Sequence, residues 1–445
     1  MRRLKEVLKS LLIILLLLSA AYLAVCTWIY DSSILSPAFY ENNAKLLSFL
    51  GIDPPSAGAV VIEKSPAKDL VEAAKPIRCA ITVSNTPERC GAEYDRTQVD
   101  MILAKTADLV GKAIGSASVP EEITERGWRK ALSGVGVYYD YLGQIPLSAI
   151  ALWQNYEPPS HVKALVRRLV LAVEEDGTAI YYENELDHRF YRCQTAVERE
   201  SLLDRVGTYK PNGCVFAFEA NKGMSGAIGE LFIFSDSPVL RMASSAPAED
   251  REKVFGTLLD VFDISPGFRR STQNLNDTLL AVDGSRSLSF SSGCEAIYSD
   301  TREGEAGGVV IYVPQSAPSE AEVIENVRAI AEKTAGTAAK EAELYLRNIE
   351  YEASGQKYTL TFGYVLNGVP VMLSDFADAA VFRIEYGILT YARIEFREFT
   401  LENESYVPMP LRTAILLDED GADCHLSYKE ARDCEPGLMS IGWYK

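Results

Sequence analysis

Residues Leu11 to Tyr30 contain no charged side chain, and they follow Arg2, Arg3, Lys5 and Lys9 with only Glu6 in opposition. This arrangement constrains the chain before any globular fold is considered. A helix over these twenty positions would be roughly 30 Å long at about 1.5 Å per residue, which matches the hydrocarbon thickness of a bilayer. The reading is a transmembrane helix at 11–30, with residues 1–10 as a cytoplasmic basic flank and the chain after about residue 31 outside. A cleaved signal peptide is the alternative, cut after Ser19-Ala20-Ala21, although its apolar region usually runs only about 7 to 15 residues. A lipoprotein needs a small residue before the modified cysteine, and Leu23-Ala24-Val25-Cys26 has valine there.

The formal net charge is −18, and removing the +3 of the first ten residues leaves −21 on the remainder. Such a surface repels phosphate backbones and disfavours nucleic-acid binding, while it tolerates a basic partner. Of eight cysteines, setting aside Cys26 leaves seven, an odd number that cannot all pair within the chain. Short-range disulfides are conceivable for Cys79 with Cys90 and for Cys424 with Cys434, each closing a loop of about ten residues. Cys193, Cys214 and Cys294 read as small buried apolar residues.

Residues 31–75 mix short apolar stretches with Pro54-Pro55-Ser56-Ala57-Gly58 and read as a stalk or linker. Arg78 to Ser84 reads as a strand, and Asp95 to Ile114 as a helix with Val99, Ile102, Leu103, Leu109 and Val110 at helical spacing. A short helix is expected at Glu121 to Leu132, a strand at Gly134 to Tyr141, and a helix opened by Pro146 and ending near Trp153. Ala164 to Val173, Ala179 to Tyr182 and His188 to Cys193 alternate as antiparallel neighbours would. A helix at Thr195 to Val206 and strands at Cys214 to Glu219 and Leu231 to Phe234 complete a membrane-distal α+β lobe at 76–248.

The pattern then becomes one helix followed by hairpins, twice. The first set is a helix at Asp250 to Phe262, then strands at Thr278 to Val282, Ser287 to Phe290 and Glu295 to Tyr298. The second is a helix at Glu320 to Thr334, then strands at Ala342 to Tyr351, Tyr358 to Leu366, Val381 to Glu385 and Leu389 to Glu398. Ser287-Leu288-Ser289-Phe290-Ser291-Ser292-Gly293 aligns with Val381-Phe382-Arg383-Ile384-Glu385-Tyr386-Gly387, with Tyr298 or Tyr391 beyond each glycine. The expectation is a duplicated helix-on-sheet unit, at 249–318 and 319–445, against the plainer alternative of two ordinary hairpins. The fold class is therefore α+β: an N-terminal transmembrane helix, then antiparallel sheets each packed by helices.

No local motif announces chemistry. His161, His188 and His425 lie far apart without a metal-binding spacing, and no C-x-x-C occurs. Gly223-Met224-Ser225-Gly226-Ala227 misses the G-x-S-x-G nucleophile pattern at its last position and reads as a glycine-rich turn. Ser354-Gly355-Gln356-Lys357 fits S-x-x-K, in which a lysine activates a serine, but it falls between two strands rather than on a helix. No nucleotide-binding fingerprint is present. Glu121-Glu122 and Glu174-Glu175 read as solvated surface, because acid-base catalysis needs two carboxylates in different environments. No catalytic, metal or cofactor-binding residue is assigned, and no cofactor is expected.

Three segments together resemble the YycH/YycI family of membrane-anchored accessory proteins of a cell-wall sensor histidine kinase. They are Gly127-Trp128-Arg129-Lys130-Ala131-Leu132 running through Gly136-Val137-Tyr138-Tyr139-Asp140-Tyr141 to Ile145-Pro146-Leu147-Ser148; Val282-Asp283-Gly284 before Ser287-Leu288; and Phe362-Gly363-Tyr364-Val365-Leu366-Asn367-Gly368-Val369-Pro370-Val371. Asn367-Gly368 between apolar strands favours a type I′ turn and fixes their register. The C-terminal unit is also similar to PepSY-like modules, with His425-Leu426-Ser427-Tyr428 and Trp443 as its closing hairpin. The cysteines and the Glu402 to Asp423 connection depart from the pattern.

The resemblance implies a non-enzymatic, single-pass extracytoplasmic regulator or scaffold at the cell membrane. Its implied partner is a membrane protein such as a sensor histidine kinase or a related accessory protein. Two rivals remain from other classes: a cell-envelope hydrolase using Ser354 and Lys357, and a PepSY-like module that binds peptides or inhibits a protease.

Overall fold

Four of the helices begin where a side chain satisfies the first free amides. Asp95 accepts from the Gln98 amide and opens Arg96–Gly115; Thr124 does the same for Glu125–Ser133, Asp250 for Arg251–Val261 and Ser319 for Glu320–Ala331. The computed structural model describes residues 75–444 except 85–87, 221–231, 234–236, 265–276, 302–307, 313–317, 353–355, 374–377, 412, 415–424 and 431–435. The apolar segment 11–30, the stalk at 31–75 apart from Lys75, Ser354, Cys424, Cys434 and the Gly223 turn lie outside the described residues. Among the described residues no helix is long and apolar enough to cross a membrane.

The first sheet has seven antiparallel strands in the order Arg89–Glu93, Arg78–Thr82, Gly136–Pro146, Leu165–Glu174, Gly177–Asn184, Arg189–Thr195, Glu121–Ile123. Successive side chains point to opposite faces. Cys79, Ile81, Val137, Tyr139, Leu169 and Leu171 therefore pack with the main core that includes the apolar face of Arg96–Gly115. Ala80, Tyr138, Val170 and Ala172 turn the other way, into a second cluster with Trp128, Leu132 and Phe216. Both faces are covered, so Arg78–Thr82 is buried along its whole length.

Three sequence expectations need correction in this region. The helix expected over Glu121 to Leu132 is two elements: Glu121–Ile123 is a strand paired to Phe190–Arg192, and the helix starts only after the Thr124 cap. Thr195 belongs to a strand, where its hydroxyl meets that of Thr178 at 2.6 Å, and the following helix is Arg199–Val206. The strand expected at Cys214 to Glu219 shrinks to Val215–Phe216, followed by a helical turn at Ala217–Ala220, and of the strand expected at Leu231 to Phe234 the described residues Phe232–Ile233 are strand.

The second sheet has ten strands. Its main path runs Leu279–Asp283, Arg286–Phe290, Glu295–Asp300, Ile388–Glu395, Ala380–Glu385, Lys357–Leu366, Val369–Met372, His425–Lys429, Ser440–Tyr444, and Ala342–Glu352 pairs along Lys357–Leu366. The two aligned segments of the sequence fall on Arg286–Phe290 and Ala380–Glu385. Each lies one strand away from the central antiparallel pair, where Ile297 faces Arg393 and Ser299 faces Tyr391. Asn367 and Gly368 both have positive φ, 52° and 82°, and Leu366 pairs with Val369, as a type I′ hairpin requires. The strand expected over Leu389 to Glu398 breaks at Phe396. Its continuation, Arg397–Tyr406, turns into a separate three-stranded sheet with Leu240–Pro247 and Gly437–Leu438.

The two large sheets are joined by named contacts. Tyr94 Oη accepts from the Leu426 amide at 3.3 Å, its ring meets Trp443 edge-on, and Arg167 Nη2 lies 2.9 Å from His425 Nε2. Cys79 and Cys90 are free thiols. Their strands pair Cys79 with Ala92 and Cys90 with Ile81, so the two cysteines are diagonal neighbours, about 7 to 8 Å apart, beyond disulfide reach. Cys193, Cys214 and Cys294 are buried free thiols, and burial pushes Cys193 up to about 11.

Candidate interaction site

The residues that could carry chemistry are dispersed and occupied. His161 Nε2 lies 3.0 Å from the Ala117 carbonyl, His188 sits in a turn at φ 54°, and His425 is beside Arg167, so the histidines do not converge. Glu121 and Glu122 pair with Arg192 and Arg189. Hydrogen bonding to Arg192 holds Glu174 below the usual carboxylate range, against a smaller opposing effect of burial. Among the described residues no group of ligands is arranged to hold a metal. Lys357 forms a surface ion pair with Glu385 at 3.3 Å.

That same end of the ten-stranded sheet gathers tyrosines. The strands Ala342–Glu352 and Lys357–Leu366 place Tyr351 opposite Tyr358, and their rings stack at 4.6 Å. Tyr312 packs edge-on against Tyr358 at 6.2 Å. The neighbouring hairpin turns at Tyr386-Gly387, with φ of 51° and 83°, and closes against the same loop: the Tyr386 amide donates to the Gln356 carbonyl at 3.2 Å and the Ile311 amide to the Gly387 carbonyl at 2.8 Å. A side chain at 387 would collide with the Tyr312 carbonyl, so the glycine is required by space as well as by φ. Burial raises the Tyr312 and Tyr358 phenols above their ordinary values, which keeps both neutral.

The Tyr386-Gly387 turn, the paired residues Tyr351 and Tyr358 and the Tyr312 loop thus lie together at this end of the sheet, with Tyr312 and Tyr358 buried and Tyr351 and Tyr386 50% and 53% exposed. Tyrosine supplies large contact area for little conformational entropy and is enriched at protein interfaces. No motif announced this cluster: its tyrosines are spread over residues 312–386 and only sheet register brings them together.

Neither a family model nor a curated protein matches the sequence. The fold, however, is similar to that of the crystal structure of YycH from Bacillus subtilis, to which the chain aligns with a TM-score of 0.50 at 12% identity, over 84% of this chain and 96% of that one. At that identity the likeness is one of fold.

Proposed function

We propose that this chain is a non-catalytic, single-pass membrane-anchored accessory protein whose extracytoplasmic part modulates a membrane sensor kinase by direct contact. The observation that carries the reading is the YycH-like fold spanning 84% of the chain, set beside the three segments that resemble the YycH/YycI family. The uncharged segment 11–30 supplies the anchor and places the C-terminal body outside the cytoplasm. The PepSY-like character of 319–445 belongs to the same reading, as a non-enzymatic contact module. The pairing of Lys357 with Glu385 favours this over a serine/lysine hydrolase.

The tyrosine-tipped surface is the contact we assign to the partner. Buried aromatic anchors typically carry about 2 kcal/mol or more of an interface. The double substitution Tyr351→Ala with Tyr386→Ala should therefore cut recovery of a membrane kinase, co-purified with the full chain from detergent-solubilised membranes, by more than about tenfold. The melting temperature should fall little, because both side chains are half exposed. Undiminished recovery of the kinase would place the contact elsewhere, and failure of the unaltered chain to recover any membrane protein would end the reading itself.

A further inference from the structure

Where the ten-stranded and three-stranded sheets meet, two carboxylates face one guanidinium in a buried site. Glu395, Arg397 and Glu430 are 3%, 2% and 3% exposed. Arg397 Nε donates to Glu430 Oε1 at 3.1 Å, and its Nη2 lies 3.4 Å from Glu395 Oε2. Its Nη1 is spent on the Gly293 and Phe396 carbonyls at 2.8 and 3.2 Å. Ser245 Oγ also donates to Glu430 Oε1, at 2.9 Å. Glu430 Oε2 is buried with no hydrogen-bond partner among the described residues. The other charges that reach Glu395 are Glu295 and Arg393, which lie 3.9 Å from each other on neighbouring strands. With that pair cancelling, the cluster carries, among the described residues, one negative charge too many when both carboxylates ionise. An uncompensated buried charge is strongly destabilising.

We propose that Glu395, Arg397 and Glu430 form a proton-operated latch, closed with one proton held on Glu395 and loosened when that proton leaves to solvent. Glu395 is the natural holder because Glu430 has the two good donors, while Glu395 has only the longer ion pair and a second carboxylate, Glu295, nearby. Burial, only partly offset by Arg397, pushes Glu395 up to about 7. The unfolded chain would release this proton near the ordinary glutamate value of about 4.3. The folded state therefore binds more protons between those values. The latch contributes its stability fully below the unfolded value and loses it as pH rises through about 7. What it joins is specific: Ser245 in Leu240–Pro247, the Gly293 turn, the start of Arg397–Tyr406 and the end of His425–Lys429. This inference stands on the fold alone and does not depend on the partner proposed above.

The test is denaturant unfolding of the full chain in detergent between about pH 5.5 and 8, comparing the unaltered protein with Glu395→Gln and Glu430→Gln, together with infrared difference spectra of the protonated-carboxyl band. The unfolding constant of the unaltered chain should rise by roughly tenfold or more across that window relative to Glu395→Gln. The component of the band that disappears near neutral pH should be missing from Glu395→Gln, while any contribution of the raised Glu93 remains. Glu430→Gln removes the competing charge, so the transition should move to lower pH. Equal pH slopes in the unaltered chain and Glu395→Gln would overturn the latch. If a variant fails to fold, the absence of a protonated-carboxyl band at pH 5.5 in the unaltered chain would overturn it alone.

Discussion

Arg78→Met should lower the unfolding free energy by about 3 to 5 kcal/mol, the usual cost of breaking a buried ion pair from one side. Arg78 is buried at the start of the second strand of the first sheet. It donates to Glu93 Oε1 at 3.2 Å and to Asp140 Oδ2, and Asp140 is also 3.6 Å from Arg167 Nε. Removing the guanidinium leaves two carboxylates in the core and disturbs the arginine that reaches His425 across the sheets. Urea unfolding near neutral pH measures the loss. The carboxylates respond differently to burial, which raises both: Glu93 stays raised despite Arg78, whereas Arg78, Arg167 and Arg168 together outweigh burial at Asp140 and hold it well below its ordinary value. A folded-state value below the unfolded one stabilises the fold above the unfolded value, about 3.9, and the contribution is lost as pH falls below it. Asp140→Asn should therefore flatten the acid limb of the stability profile.

Gly143→Val should cost about 3 kcal/mol or more, because the new atoms meet main chain that cannot yield. Gly143 lies in the bulged stretch between Asp140 and Ile145, where the strand register shifts, opposite the register shift between Leu346 and Asn348 in Ala342–Glu352. A β-carbon at 143 would run into the Leu346 carbonyl and come within 2.8 Å of Arg347 Cα. Two bulges are pressed together here, and glycine is the residue that allows the approach. Unfolding midpoints and soluble yield would register the damage. Gly256→Ala is the contrasting change: it lies inside the helix Arg251–Val261, nothing lies within 4 Å of the added carbon, and stability should rise by about 0.5 to 1 kcal/mol.

Local rules carried the sequence far. The helices expected from Asp95, Asp250 and Glu320, the Asn367-Gly368 turn and the alternation in Gly177–Asn184 each need only a few neighbouring residues, and each element is found within a few residues of its expected place. Expectations failed where distant pairing overrode local preference. Glu121–Ile123 looks helical in isolation but is recruited as an edge strand, with Arg189 and Arg192 meeting its two glutamates. The split at Phe396 answers to the Arg397 cluster, whose partners come from residues 245, 293 and 430. The interaction surface was illegible for the same reason. Twenty-three tyrosines are visible in the sequence, but only the register of Tyr351 with Tyr358, and the docking of the Tyr386 turn on the Tyr312 loop, marks four of them as a group.

Contact between this surface and a membrane kinase is tested most directly by placing a photo-crosslinking amino acid at Tyr386 of the full chain and irradiating native membranes. The account predicts an adduct with a sensor kinase, lost when Tyr351 is replaced by alanine and absent when the crosslinker is moved to the remote, exposed Val119. A folded chain that yields no membrane-protein adduct from Tyr386, or the same adduct from Val119, would contradict it.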